Sequence, residues 1–338
     1  MINLKDVNSL SIVGMGKNTG KTTFLTRVIE ACSEPGLTRN LALTSIGRDG
    51  EETDIVTHTP KPRIYIRKGT LVATASGLLR SCDVTRDLLM LTDIRTTMGQ
   101  VVIFRALSDG YVEIGGPSRT SDIAALEKTM RQYQKDCLFI VDGALSRMSV
   151  AARMEGTVLC TGAALSRNLD VLVDKTLEAV DMISLSRTDI PLPDKEGRVM
   201  VKDGTWRSLQ SEMALSAGDD IRSSLTETTE AVFLKGAITE GLIEDLLRSP
   251  LFRNMRLIGK DGTRFMLTGK LLQRLKERNI TLQVVSEIRL LAIVINPWEA
   301  EGDGQDVQEM EKTFRARTNL PVLDARGYEG RLFHGLHR

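Results

Sequence analysis

Apolar and polar positions along this 338-residue chain follow two periods in turn. Short continuous apolar runs recur at residues 10–13, 41–45, 137–141, 157–163, 231–237 and 290–295, the pattern of strands buried on both faces of a sheet. Between them, apolar residues fall three and four apart: Phe24, Leu25, Val28 and Ile29; Ile123, Leu126, Met130 and Tyr133; Leu169, Leu172, Val173, Leu177 and Val180; Leu242, Ile243, Leu246 and Leu247; and Leu271, Leu272 and Leu275, a helix that Asn279 would close. That spacing predicts amphipathic helices. Strand and helix alternate, so the expected fold is α/β: a doubly wound, mostly parallel sheet.

Residues 63–74 alternate about Lys68-Gly69, and residues 101–107 and 111–114 flank Ser108-Asp109-Gly110; both patterns predict antiparallel hairpins, with a short helix over 83–91 between them. Residues 60–120 therefore read as a β-hairpin insertion in the parallel sheet. A strand at 182–185 would complete five parallel strands and a first domain over 1–190. Pro191, Pro193 and the serine- and threonine-rich stretch 211–229 predict a linker over 191–230, and residues 231–338 a second, smaller α/β domain with a hairpin about Asp261-Gly262.

The first strand runs into Gly14-Met15-Gly16-Lys17-Asn18-Thr19-Gly20-Lys21-Thr22-Thr23 and then into the first helix. Strand, glycine-rich turn and helix in that order form a phosphate cradle: glycines let successive N–H groups turn inward at the positive end of the helix. Lys21 is placed to reach terminal phosphates, and Thr22 to offer its hydroxyl to a magnesium ion. The spacing departs from the usual loop. Met15 stands where a glycine is common, with Gly14 and Gly16 on either side. Asp142, at the tip of the buried 137–141 run, reads as a carboxylate ordering magnesium through a water, or as a strand-ending turn residue. The acidic loop after residues 41–45 holds Asp49 and Asp54, either of which could bind magnesium through water or steer a nucleophile, and Arg48, a candidate phosphate partner; it also reads as a plain solvated loop. No Asn-Lys-x-Asp guanine motif occurs, which favours ATP.

Composition narrows the partners. With 41% hydrophobic and 26% charged residues and a formal charge of +1, the chain exerts no general pull on nucleic acid or an anionic membrane. No apolar run reaches membrane-spanning length and the N-terminus lacks a signal-peptide layout, so a cytoplasmic protein is expected. Cys32, Cys82, Cys137 and Cys160 read as reduced core thiols. His58, His334 and His337 form no group with cysteines at zinc spacing.

The G-x5-G-K-T loop resembles that of dethiobiotin synthetase and the cobyrinic acid amide synthases, a branch of the P-loop NTPases. Similarity to the Glu-Gly-Ala-Gly strand ending of dethiobiotin synthetase supports Asp142, and a similar asparagine there contacts adenine, which would give that role to Asn296; Asn296-Pro297 also reads as a strand-ending turn. At residues 14–22, 44–52, 61–64, 106–113, 141–147 and 161–166 the chain resembles the KamB-type reactivase subunit, and this likeness covers roughly residues 1–190. It implies a nucleotide-driven factor that works with a MutS-like ATPase partner subunit to release damaged cobalamin from lysine 5,6-aminomutase, an adenosylcobalamin enzyme of lysine fermentation. The expected cofactors are ATP and Mg2+. The expected site comprises Gly14, Gly16, Lys17, Asn18, Thr19, Gly20, Lys21, Thr22, Thr23 and Asn296, with Lys21, Asp49 and Asp142 catalytic and Thr22, Asp49 and Asp142 near the metal. A homodimer fits this reading. The rival readings are an ATP-dependent ligase of the dethiobiotin synthetase type, anchoring a small carboxylate or carbamate through Arg48, Lys61 or Arg63, and a non-enzymatic nucleotide-binding module.

Overall fold

A computed structural model describes residues 4–34, 39–47, 63–193, 197–211, 217–298 and 304–327. In chain order the first elements are β1 (Ser9–Gly14), α1 (Lys21–Ala31), β2 (Leu41–Ser45), β3 (Ile64–Ile66), β4 (Leu71–Ala75), β5 (Arg86–Thr96), β6 (Gly99–Ala106), β7 (Gly110–Val112), α2 (Thr120–Tyr133), β8 (Leu138–Ala144), β9 (Gly156–Gly162) and α3 (Leu169–Ile183). There follow β10 (Val199–Asp203), β11 (Thr205–Ser208), α4 (Gly218–Ser224), β12 (Ala231–Leu234), β13 (Ile238–Thr239), α5 (Glu240–Leu246), β14 (Arg256–Gly259), β15 (Phe265–Met266), α6 (Gly269–Glu277) and β16 (Thr281–Val284). The chain then adds β17 (Leu290–Asn296), α7 (Val307–Arg315) and β18 (Val322–Asp324).

The α/β class holds. Residues 1–176 and 289–338 make one compact unit and residues 177–288 another. The first is built on a nine-stranded sheet of order β18-β17-β9-β1-β8-β2-β4-β6-β5, in which β6 alone runs against the rest. Its inner strands are apolar in unbroken runs because both faces are covered. On β8, Leu138 and Ile140 enter the core that Phe24, Leu25 and Val28 of α1 complete, while Phe139 and Val141 enter a separate core with Ile123, Leu126 and Met130 of α2. Each such side chain contributes about 1.5–3 kcal/mol on burial, so β1 and the strands beside it form a rigid platform. The second unit carries the sheet β11-β10-β12-β14-β16, in which β12, β14 and β16 are parallel and α5 and α6 supply the crossovers.

Several expectations give way. The boundaries at 190 and 230 are replaced because β17 returns to pair with β9, so residues 289 onward complete the first sheet and do not belong to a C-terminal domain. Residues 191–230 hold β10, β11 and α4, so this stretch is no simple linker: Val199, Met200 and Val201 are buried against β12. Within 60–120, β4, β6 and β5 extend the sheet. Neither local hairpin forms: β3 pairs with β7, while β4, buried along its whole length, lies between β2 and β6. A strand apolar on both sides gains more between two neighbours than at the edge of a ribbon. The helix over 83–91 is replaced largely by β5, held by its ladder to β6. Residues 182 and 183 close α3 where a strand was expected, and β14 and β15 pair with other strands, not with each other. Asn279 does close α6, with a φ of 54°.

Candidate functional site

β1 lies between β8 and β9 and ends at Gly14, where the chain turns into α1. Two glycines fix that turn. A Cβ on Gly14 would come within 2.7 Å of the Lys21 stem and of Thr19 Oγ1, and Gly20 sits at φ 86° with Asn296 and Ala325 packed against it. The loop is tied down from three sides: Met15 N–H donates to the Cys160 carbonyl at 2.9 Å, the Thr19 hydroxyl to the Gly16 carbonyl at 3.0 Å, and Asn296 Nδ2 to the Asn18 carbonyl at 2.8 Å. Lys21 folds back over the loop, with Nζ 3.4 Å from the Gly16 carbonyl.

No side chain caps α1, no acidic residue occupies its first turn, and its first helical hydrogen bond runs from Phe24 N–H to Gly20. The amides of Lys21, Thr22 and Thr23 precede it and have no intrahelical acceptor. The positive end of the dipole and the Lys21 ammonium therefore face the same mouth, a setting for an anion.

Asp142 is brought to this mouth by register. It lies beside Ile12 on β1 and Ser45 on β2, just below the level of Gly14. The residue keeps some exposure, yet its Oδ1 is shut off from solvent and has no hydrogen-bond partner. Burial pushes its carboxyl up from 3.8 to about 6, against the pull of the nearby Lys21 charge and of the Gly143 N–H. An orphaned carboxylate oxygen beside a cation and a run of amides fits a magnesium–phosphate ligand: the carboxylate would order metal-bound water and the amides would hold phosphate oxygens.

Asn296 stands at the site with its amide nitrogen engaged by the protein. Nδ2 donates to the Asn18 carbonyl, which braces the loop, and at 3.1 Å to the Trp298 carbonyl, which fixes the turn after β17. Two residues that the sequence reading missed lie next to it. Trp298 is 44% exposed, and the Arg326 guanidinium sits 4.8 Å from its ring centroid. Both follow strands that flank the loop, with Ala325 N–H bonded to the Ile295 carbonyl and Arg27 Nη2 to the Gly327 carbonyl. Trp298, an indole just past a buried strand, was visible as a signal; Arg326 was not.

The remaining candidates sort by position. Asp49, Asp54, Arg48 and Lys61 lie outside the described residues. Arg63 donates to the Ser81 carbonyl and to Asp83 at 3.2 Å and covers the Tyr111 ring, so as an anchor for a small acid it is already engaged. Cys160 lies beneath the loop, where burial raises its thiol far above the ordinary range, and Cys32 is pushed up to about 11. All four cysteines are buried and free. Among the described residues, no group of three or more His, Cys, Asp or Glu forms a metal cluster, and no helix is long and apolar enough to cross a membrane. Compared with known proteins, the chain matches no family model, and no curated protein or solved structure matches it at significance.

Proposed function

We propose that this chain is a magnesium-dependent nucleoside triphosphatase whose cycle acts on another protein, and that it serves as a reactivation factor for an adenosylcobalamin-dependent lysine 5,6-aminomutase. The observation that carries the first part is the partnerless Asp142 oxygen beside Lys21 and the uncapped end of α1. The second part rests on the resemblance to KamB-type subunits.

The loop amides from Gly16 to Thr23 bind the phosphate chain. Lys21 exchanges its bond to the Gly16 carbonyl for the terminal phosphates, and Asp142, ionised by the added positive charge, orients water. The Thr22 hydroxyl and, through water, Asp142 would hold magnesium, which would supply charge neutralisation to the phosphates. The Trp298 ring is the flat surface next to the loop on which a purine stacks. Nucleotide-bound protein prefers the opened mutase and post-hydrolysis protein releases it, shifting the mutase population by that difference in affinity and no more. ATP is the expected nucleotide.

Purified protein should hydrolyse ATP slowly and faster with inactivated mutase, and an added MutS-like partner should restore mutase activity in an ATP-dependent way. Recovery that proceeds equally with Lys21→Ala protein would refute the client role. ADP release that requires only a small acid would point to the ligase reading.

A further inference from the structure

We infer that β5 is the contact strand of a homodimer, in which two copies pair antiparallel and their nine-stranded sheets run on as one. β5 is one of the two edge strands of the sheet, eleven residues long, and among the described residues no strand pairs with its outer side. It carries Leu88, Met90 and Leu91 at 60%, 42% and 59% exposure. A long apolar edge is a pairing template that soluble proteins blunt or cover.

The usual blunting device has a different effect here. The register to β6 shifts twice, between Leu88 and Met90 and between Leu91 and Arg95, and across the first shift Leu88 lies opposite Phe104, Met90 opposite Ile103 and Leu91 opposite Val102. Directly opposed residues share a face. Leu88 and Leu91 thus stand together on the Phe104 face, although three positions apart, and Met90 stands on the other, towards which Leu89 also packs. The first shift gathers the exposed leucines instead of scattering them.

The occupant is a second copy because the strand complements itself. Its sequence is Arg86-Asp87-Leu88-Leu89-Met90-Leu91-Thr92-Asp93. With a two-fold axis between Leu89 and Met90, Leu88 faces Leu91 of the second copy, Leu89 faces Met90, and Arg86 faces Asp93, each contact occurring twice. Apolar residues meet apolar ones on both faces, and the charges at each flank are opposite in sign. The Leu89 carbonyl already accepts from the Tyr133 hydroxyl at 3.2 Å, so the new ladder skips that group. This inference does not depend on the nucleotide reading.

Sedimentation velocity on the full chain, over a range of concentrations, should show a species of twice the chain mass. Leu88→Asp with Leu91→Asp should leave a folded monomer, since both positions are exposed and circular dichroism should be unchanged. Arg86→Asp alone should weaken association roughly tenfold by setting like charges together at two places, and Arg86→Asp with Asp93→Arg should restore it. An equimolar mixture of Leu88→Cys and Leu91→Cys chains should cross-link on oxidation, and neither variant should do so alone. A monomer at every concentration, a dimer indifferent to these changes, or a cross-link formed by one variant alone would overturn the proposal.

Discussion

Replacing Asp142 by Asn should make the protein more resistant to unfolding above pH 6 and leave it little changed near pH 4. The native state holds its proton on Asp142 up to about pH 6, whereas an unfolded chain releases it near 3.8. Between those values the folded form binds more protons than the unfolded form, so this residue's contribution to stability falls as pH rises through the window and is level above it. A shift of about two units corresponds to roughly 3 kcal/mol, an upper bound for a residue that keeps some exposure. The carboxamide is also left without a partner there, at a cost that does not vary with pH; it displaces the variant's curve without bending it. Urea midpoints of both proteins, taken at half-unit steps from pH 4 to 8 without nucleotide, isolate the effect. The difference, variant minus parent, should climb by about 2–3 kcal/mol between pH 4 and 6.5 and then flatten. Magnesium nucleotide should close most of the gap, because only the carboxylate gains a cation; at a hundredfold excess over Kd the parent gains about 2.7 kcal/mol. A difference that stays level from pH 4 to 8 would mean that the Asp142 oxygen is solvated or paired, and the argument for a site there would fall.

Lys21→Ala should cut affinity for both ATP and inorganic tripolyphosphate by about a hundredfold, roughly 2.7 kcal/mol, with the unfolding temperature nearly unchanged; isothermal titration reads both ligands. Trp298→Ala should weaken ATP binding and leave tripolyphosphate binding intact, whereas Asn296→Ala, which removes the bond to the Asn18 carbonyl and the one to the Trp298 carbonyl, should weaken both ligands and cost about 1–2 kcal/mol of stability. Equal losses for ATP and tripolyphosphate in Trp298→Ala would remove the indole from the base site. Gly20→Ala places a Cβ 2.9 Å from Asn296 at a φ of 86°, so it should destabilise by more than 1 kcal/mol in a denaturant titration; an unchanged midpoint would show that the loop relaxes freely.

What could be read from the sequence was set by how local the determining interactions are. The runs at 10–13, 137–141 and 290–295 announced buried strands because two-sided burial leaves no polar positions, and α1, α2, α3, α5 and α6 declared themselves by their stripes. Partner choice could not be read in the same way. Lys68-Gly69 does make a turn, with Gly69 at φ 91°, but the value of β4 lies in β2 and β6, which no local pattern reveals. The return of β17 to β9 was hidden for the same reason, and with it the true extent of the first unit. At the site, the glycine spacing marked the loop and the buried run marked Asp142. The task of Asn296 was invisible because its acceptor, the Asn18 carbonyl, lies on a segment joined to it only by the fold. Arg326 was hidden likewise, since its ring partner precedes α7 and β18.

Three features around the loop are each unfavourable on their own: backbone at positive φ in Asn18, a helix without a cap, and a carboxylate oxygen without a donor. Unsatisfied groups occur elsewhere in this sheet, and they test whether the coincidence means anything. Ser11 and Thr157 lie side by side on β1 and β9 with buried, unpartnered hydroxyls. Those groups are neutral and surrounded by packed strands, so a single water would relieve both. Asp142 differs in kind. Its oxygen bears charge above pH 6, it lies within the field of Lys21, and the strand that carries it ends beside the turn into α1 that is bonded to Asn296 and Cys160. One polyanion with a divalent cation would answer all three features together: amides to the anion, ammonium to its far end, carboxylate to the cation. Strain held in place by surrounding structure is expected where a ligand completes the fold, and here the bonds to the Cys160 carbonyl and from Asn296 hold the loop in place.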